Sequence, residues 1–159
     1  MRIKFIKDED IVNYRKMSMF IGAISCTWKC CKEAGLPCSV CQNYPWSNNE
    51  VIVLPNAEII DRYLNNPLTE AVVFGGLEPM DQFIELMEFI KEFRKKCDDD
   101  IVIYTGYERN EIKDRAYMLS LFPNIIIKYG RYVPNMPSVY DEVLGVTLAS
   151  DNQYAIKES

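Results

Sequence analysis

Four short apolar runs limit this chain to one class of fold. Residues 19–24, 70–74, 101–104 and 124–128 are dominated by Ile, Val, Met and Phe, and each breaks off at turn-forming or polar residues. Runs of that length without polar alternation are strands buried on both faces. Helical patterns separate the last three. Asn56 is placed to cap a helix carrying Ile59, Ile60, Tyr63 and Leu64 on one side, which Asn65-Asn66-Pro67 breaks. Pro79 or Asp81 opens a longer helix whose inner face reads Phe83, Ile84, Met87, Ile90 and Phe93. Ile112, Ala116, Leu119 and Tyr117 supply the inner face of a third, ended by Pro123. Residues 2–6 add a further strand, and 51–54 a short apolar run stopped by Pro55. This alternation predicts an α/β fold with a mostly parallel sheet, in one domain spanning residues 1–159, with 131–152 as a long irregular tail.

Composition narrows the function classes. A hydrophobic content of 48% with 26% charged residues is that of a globular protein, and no stretch approaches the roughly 18 apolar residues that span a bilayer. The first residues lack the apolar core and cleavage site of a secretory signal, so no membrane association and a cytoplasmic location are expected. A net charge of −5 argues against nucleic-acid binding. Lys91, Arg94, Lys95 and Lys96 read as the cationic end of a helix rather than as a basic patch.

Five of the six cysteines, Cys26, Cys30, Cys31, Cys38 and Cys41, fall within sixteen residues directly after the run 19–24, and the chain has no histidine. In a reducing compartment such a cluster binds metal or does redox chemistry rather than forming disulfides. Ligand number separates the options. A structural zinc site wants four ligands in close pairs, and only Cys38 and Cys41 make a well-spaced pair. A four-cysteine iron–sulfur centre would draw on Cys26, Cys30, Cys38 and Cys41. A three-thiolate 4Fe–4S cluster leaves one iron free to hold a ligand. Cys97, beside acidic residues near a helix end, reads as a bystander.

Ligands of parallel sheets bind at the carboxyl ends of the strands. Three features fall there: the cysteine segment, Gly75-Gly76 after Phe74, and Thr105-Gly106 after Tyr104. The segment Ile24-Ser25-Cys26-Thr27-Trp28-Lys29-Cys30, closed by Cys41-Gln42-Asn43, resembles the cysteine loop of radical S-adenosylmethionine enzymes, usually C-x-x-x-C-x-x-C. Phe74-Gly75-Gly76-Leu77-Glu78-Pro79 is similar to that superfamily's Gly-Gly-Glu-Pro turn. Tyr104-Thr105-Gly106-Tyr107, Tyr129-Gly130-Arg131-Tyr132 and Ser150-Asp151-Asn152-Gln153 resemble segments of the activating proteins of anaerobic ribonucleotide reductases.

The resemblance implies an incomplete βα barrel, a 4Fe–4S cluster and S-adenosylmethionine. It further implies a glycyl radical enzyme as partner, with a flavodoxin or ferredoxin as electron donor. By family spacing the cluster ligands are Cys26, Cys30 and Cys41, with residues 31–40 as an insertion; Cys26, Cys38 and Cys41 form the second choice, and Cys31 in place of Cys30 the third. Gly75 and Gly76 would let the backbone approach the methionine moiety, Glu78 would meet its ammonium group, and Thr105 with Gly106 would contact the nucleoside. Trp28, Tyr44 and Trp46 flank the loop as candidates for shielding or stacking, or as ordinary packing. Three departures stand out: Leu77 interrupts Gly-Gly-Glu, the family aspartate before Gly130 is missing, and so is an N-terminal glycine-rich segment. The same cysteines also allow modification of a small molecule or peptide, or a non-catalytic zinc or iron–sulfur module.

Overall fold

A computed structural model describes residues 1–159. In chain order the elements are β1 (Arg2–Ile3), β2 (Phe5–Asp10), β3 (Ser18–Gly22), α1 (Lys29–Glu33), α2 (Tyr44–Ser47), β4 (Ile52–Val53), α3 (Asn56–Leu64) and β5 (Ala71–Gly75). There follow α4 (Phe83–Phe93), β6 (Asp100–Tyr104), α5 (Lys113–Ser120), β7 (Ile125–Tyr129), β8 (Val139–Asp141), β9 (Val146–Leu148) and β10 (Tyr154–Lys157). Two 3-10 turns, Cys38–Val40 and Pro79–Gln82, precede α2 and α4.

The central sheet has six strands in the order β10-β7-β6-β5-β3-β2. β3, β5, β6 and β7 run parallel, as the uninterrupted apolar runs predict. Both edges are antiparallel, β2 against β3 and β10 against β7, and the sheet is open. The small ribbons β1-β4 and β8-β9 lie outside it. No helix is long and apolar enough to cross a membrane.

Strand alternation sorts the core into two layers. The register row Ile21, Phe74, Ile103, Ile127 belongs to the larger cluster, which α3, α4 and α5 complete through Ile59, Ile60, Phe89, Ile90, Phe93 and Leu119. The next row, Val73, Val102 and Ile126, packs on Tyr14, Leu144 and Leu148 in a second cluster. All three crossover helices therefore cover one face. The other is covered by the segment expected to be irregular, whose β8-β9 hairpin is held by Leu144 N donating to Asp141 Oδ1 at 2.8 Å. Short alternating segments hide in such a tail because each is too brief to show a period. β10 escapes the pattern for the same reason.

Three expectations for helix faces are corrected. Ile84 is 76% exposed, Tyr117 67% and Leu64 44%, whereas Leu86 and Phe89 are wholly buried. Apolar residues next to one another on a helix point about 100° apart, so packing on the sheet selects one of them. Asn56 is the first residue of α3 rather than a side-chain cap, and its amide donates to Glu92. β3 ends at Gly22, two residues short of the expected strand end: Ala23 N still donates to Gly75 O, and the chain bends at Ile24. Arg94 does more than offset a helix dipole: it donates to the carbonyls of Cys97, Asp99 and Pro123, tying the end of α4 to the start of β7.

Phe89 rests edge-on against Phe74 at 5.2 Å and stacks on Phe93 at 5.8 Å. Phe89→Ala is therefore expected to lower the unfolding free energy by about 3–5 kcal/mol in urea titrations. Ile84→Ala, on the solvent side of the same helix, should stay within about 0.5 kcal/mol of the parent.

Candidate metal and cofactor site

The parallel strands bring the three sequence features to one edge of the sheet. Glu78 joins two of them. Its Oε1 accepts from Thr105 Oγ1 at 2.8 Å and Met80 N at 3.0 Å, and its Oε2 from Gly106 N at 2.8 Å. The third is tied in by the backbone, with Glu78 N donating to Ser25 O at 2.8 Å. Asp81 completes the junction, taking Thr27 N on one oxygen at 3.1 Å and Tyr107 Oη on the other at 2.8 Å.

The carboxyl of Glu78 is 6% exposed as a residue, and burial raises its pKa to about 7 against the opposing pull of its three donors. With both oxygens engaged, Glu78 braces the turns around it. Gly75 and Gly76 are accounted for by the protein's own packing. A Cβ on Gly75 would meet the Phe20 ring at 2.9 Å, and Gly76 has φ +74° with the Phe5 ring 3.2 Å from a Cβ position.

Gly106 marks the open place. A side chain there would strike the Cys30 Sγ at 3.0 Å, and Glu78 Oε2 lies 3.6 Å away. Cys26, Thr27, Cys30, Glu78, Gly106 and Tyr107 line one small pocket at this point. Cys30 reaches it from α1, whose chain enters through Trp28 in the left-handed region, φ 58°. Cys26 reaches it from the preceding turn, where its sulfur accepts from Trp28 N at 3.3 Å. Burial pushes the Cys26 thiol up to about 12 and raises Cys30 as well, the Tyr132 backbone N–H partly offsetting the latter.

The other three clustered cysteines do not line this pocket. Cys31, one position along α1, is buried. Burial, then the charges of Cys41 and Cys38, raise the Cys31 thiol. Of the expected trio, Cys26 and Cys30 line the pocket beside Glu78, and Cys41 is not among its lining residues. No three thiol or carboxyl groups converge on one point in this disposition. The flanking aromatics are packed: Trp46 lies 4.4 Å from the Phe5 ring and Trp28 5.5 Å from Tyr44, ring centre to ring centre. Cys97 lies at the end of α4, its sulfur accepting from Asp99 N at 3.4 Å.

Lys128, Arg131 and Glu111 were missed by sequence reasoning. Lys128 is 6% exposed at the end of β7, and its Nζ donates to Gly130 O at 2.8 Å. Burial lowers its pKa to about 8, countered by the charges of Cys30 and Glu78. A lysine closing an otherwise apolar strand, Ile125-Ile126-Ile127-Lys128, is a signal that could have found it. Arg131 lay within the Tyr129-Gly130-Arg131-Tyr132 resemblance without an assigned role, and Glu111 carried no comparable signal, being an ordinary charge in a polar loop.

The raised pKa of Glu78 has a direct consequence for stability. The folded chain holds this proton more tightly than the unfolded chain, whose ordinary value is 4.5. The contribution is fully present below about 4.5 and is lost as pH rises through about 7. Lys128 acts in a separate window, between about 8 and 10.5. Urea unfolding of the metal-free chain should show stability falling from pH 5 to pH 8, and Glu78→Gln should flatten that slope. An unchanged slope would assign the pH dependence to other groups.

The donor set fits a thiolate-ligated cluster. Five thiols lie on one short segment, no imidazole competes, and a glycine faces the Cys30 sulfur where any side chain would intrude. Comparison with known proteins agrees. No curated protein and no solved structure matches the chain. Residues 23–145, from the last turn before the cysteines to the tip of the β8-β9 hairpin, match the family model described as a 4Fe-4S single cluster domain. That match covers well over half of the sequence, and the chain belongs to the 4Fe–4S single cluster domain family.

Proposed function

We propose that this protein is a radical S-adenosylmethionine enzyme of the activating-protein type, which forms a glycyl radical on an anaerobic ribonucleotide reductase. The observation that carries the reading is the meeting of Cys26 and Cys30 with the Gly75-Gly76-Leu77-Glu78-Pro79 turn and Thr105-Gly106 at one strand-end edge. The open sheet, with its crossover helices on one face, supports an incomplete barrel.

Cys26, Cys30 and Cys41 would hold the cluster, with Cys38 or Cys31 the alternatives for one place. When bound and reduced, such a cluster supplies the electron that cleaves S-adenosylmethionine to methionine and a 5′-deoxyadenosyl radical. The chain's own groups bind and orient. Glu78 holds the Thr105-Gly106 turn in place, so that Gly106 presents bare backbone beside Cys30. Lys128 has one protein acceptor for its three protons and sits at the same edge, so it is suited to an anionic group of the bound cofactor. A flavodoxin or ferredoxin would supply reducing equivalents.

Anaerobic reconstitution with iron and sulfide tests the proposal. About four irons per chain, a brown chromophore and dithionite-dependent formation of 5′-deoxyadenosine are expected. Cys26→Ala, Cys30→Ala and Cys41→Ala should each lose both cluster and cleavage, while Cys31→Ala and Cys38→Ala keep them. A colourless protein holding zinc, or a full cluster with no cleavage of S-adenosylmethionine, would overturn the radical reading.

A further inference from the structure

Helix α1 is five residues long and has no side-chain cap, so its own backbone bonds do not hold it in place. Yet it carries Cys30 to a defined position over Gly106. Charged groups on three separate elements meet above it. Arg131, just after β7, donates from Nη1 and Nη2 to the two oxygens of Glu111, each at 2.7 Å. Its Nε lies 2.8 Å from Glu33 Oε2 at the end of α1. Lys29, at the start of α1, bonds Glu111 and lies 3.9 Å from Glu33. Lys29 and Arg131 complete the lining of the pocket that holds Cys26 and Cys30.

The arms of this quartet differ in exposure. The Arg131 side chain is 10% exposed and Glu111 27%, against 42% for Lys29 and 52% for Glu33. Arg131 is further anchored through its carbonyl, which accepts from Asn152 Nδ2 at 2.8 Å. A fork-to-fork pair with its guanidinium buried and its carboxylate partly shielded keeps more of its strength than the outer arms, which are screened.

We infer that the Glu111–Arg131 pair is a positioning clasp that docks helix α1 on the sheet edge and controls how far the Cys30 thiol opens to solvent. Neither residue acts on a ligand itself; both act through the placement of Cys30. The inference holds whichever group the thiols take up. Its test needs no cluster, so its failure and that of the radical reading are separate results.

The test is pulse alkylation of the full metal-free chain with iodoacetamide, quantified per cysteine by peptide mass spectrometry, with Cys97 as the reference thiol. Glu111→Gln and Arg131→Met should each raise Cys30 labelling relative to Cys97 by about tenfold, the scale on which losing a charge-assisted bond shifts a local opening equilibrium. The double variant should add little to either. Lys29→Ala and Glu33→Ala should change it less than about twofold. A purely electrostatic influence on the thiol gives a different pattern: removing the carboxylate speeds Cys30, and removing the guanidinium slows it. Opposite directions, unchanged labelling, or a parallel rise at Cys97 that marks global unfolding would each overturn the clasp. Arg131→Lys, which keeps charge without the fork, provides the milder variant and should fall between parent and Arg131→Met.

Discussion

Everything at the functional edge depends on one constraint: parallel neighbours must all end on the same side of the sheet. Each crossover helix returns the chain so that β3, β5, β6 and β7 point the same way. Segments far apart in sequence therefore begin their loops side by side. The cysteine segment, the double-glycine turn and the Thr105-Gly106 turn are neighbours for that reason alone.

Adjacency by itself would leave three loose turns. The buried carboxylate of Glu78 converts it into a fixed arrangement, because three donors from two loops close on its oxygens and water cannot replace them. Asp81 repeats the device one step outward, joining Thr27 to Tyr107. Gly106 is left as bare backbone facing Cys30. The family match to a 4Fe–4S single cluster domain gives this arrangement its chemical meaning.

Much of the fold was legible because strand and helix leave different periods in the sequence. The central apolar runs became parallel strands, and the three helices fell where their spacing indicated. The losses were of two kinds. Short elements such as β8, β9, β10 and α1 show too few repeats to reveal a period. Helix faces erred at Ile84, Leu64 and Tyr117, where apolarity was present but the sheet lay in another direction. In the site, Cys26, Cys30, Glu78, Thr105 and Gly106 came together as the topology required. Cys26 and Cys30 line one pocket without Cys41, which spacing along the chain did not show.

The sequence by itself determined the α/β class, the order of the strand-end turns, and a thiol-rich site at their edge. Those properties rest on local periodicity and residue chemistry, which neighbours in sequence encode. Only the tertiary structure decided which thiols share a pocket, that Glu78 braces its neighbours, and that Arg131 lines the Cys30 pocket with Glu111 bonded to it. Pairings of that kind depend on how separate crossovers bring side chains across the sheet edge. Glu78 meets Gly106 from 28 residues away and Lys29 meets Glu111 from 82. No pattern within either segment carries that information, because the partner is chosen by the geometry of the sheet between them.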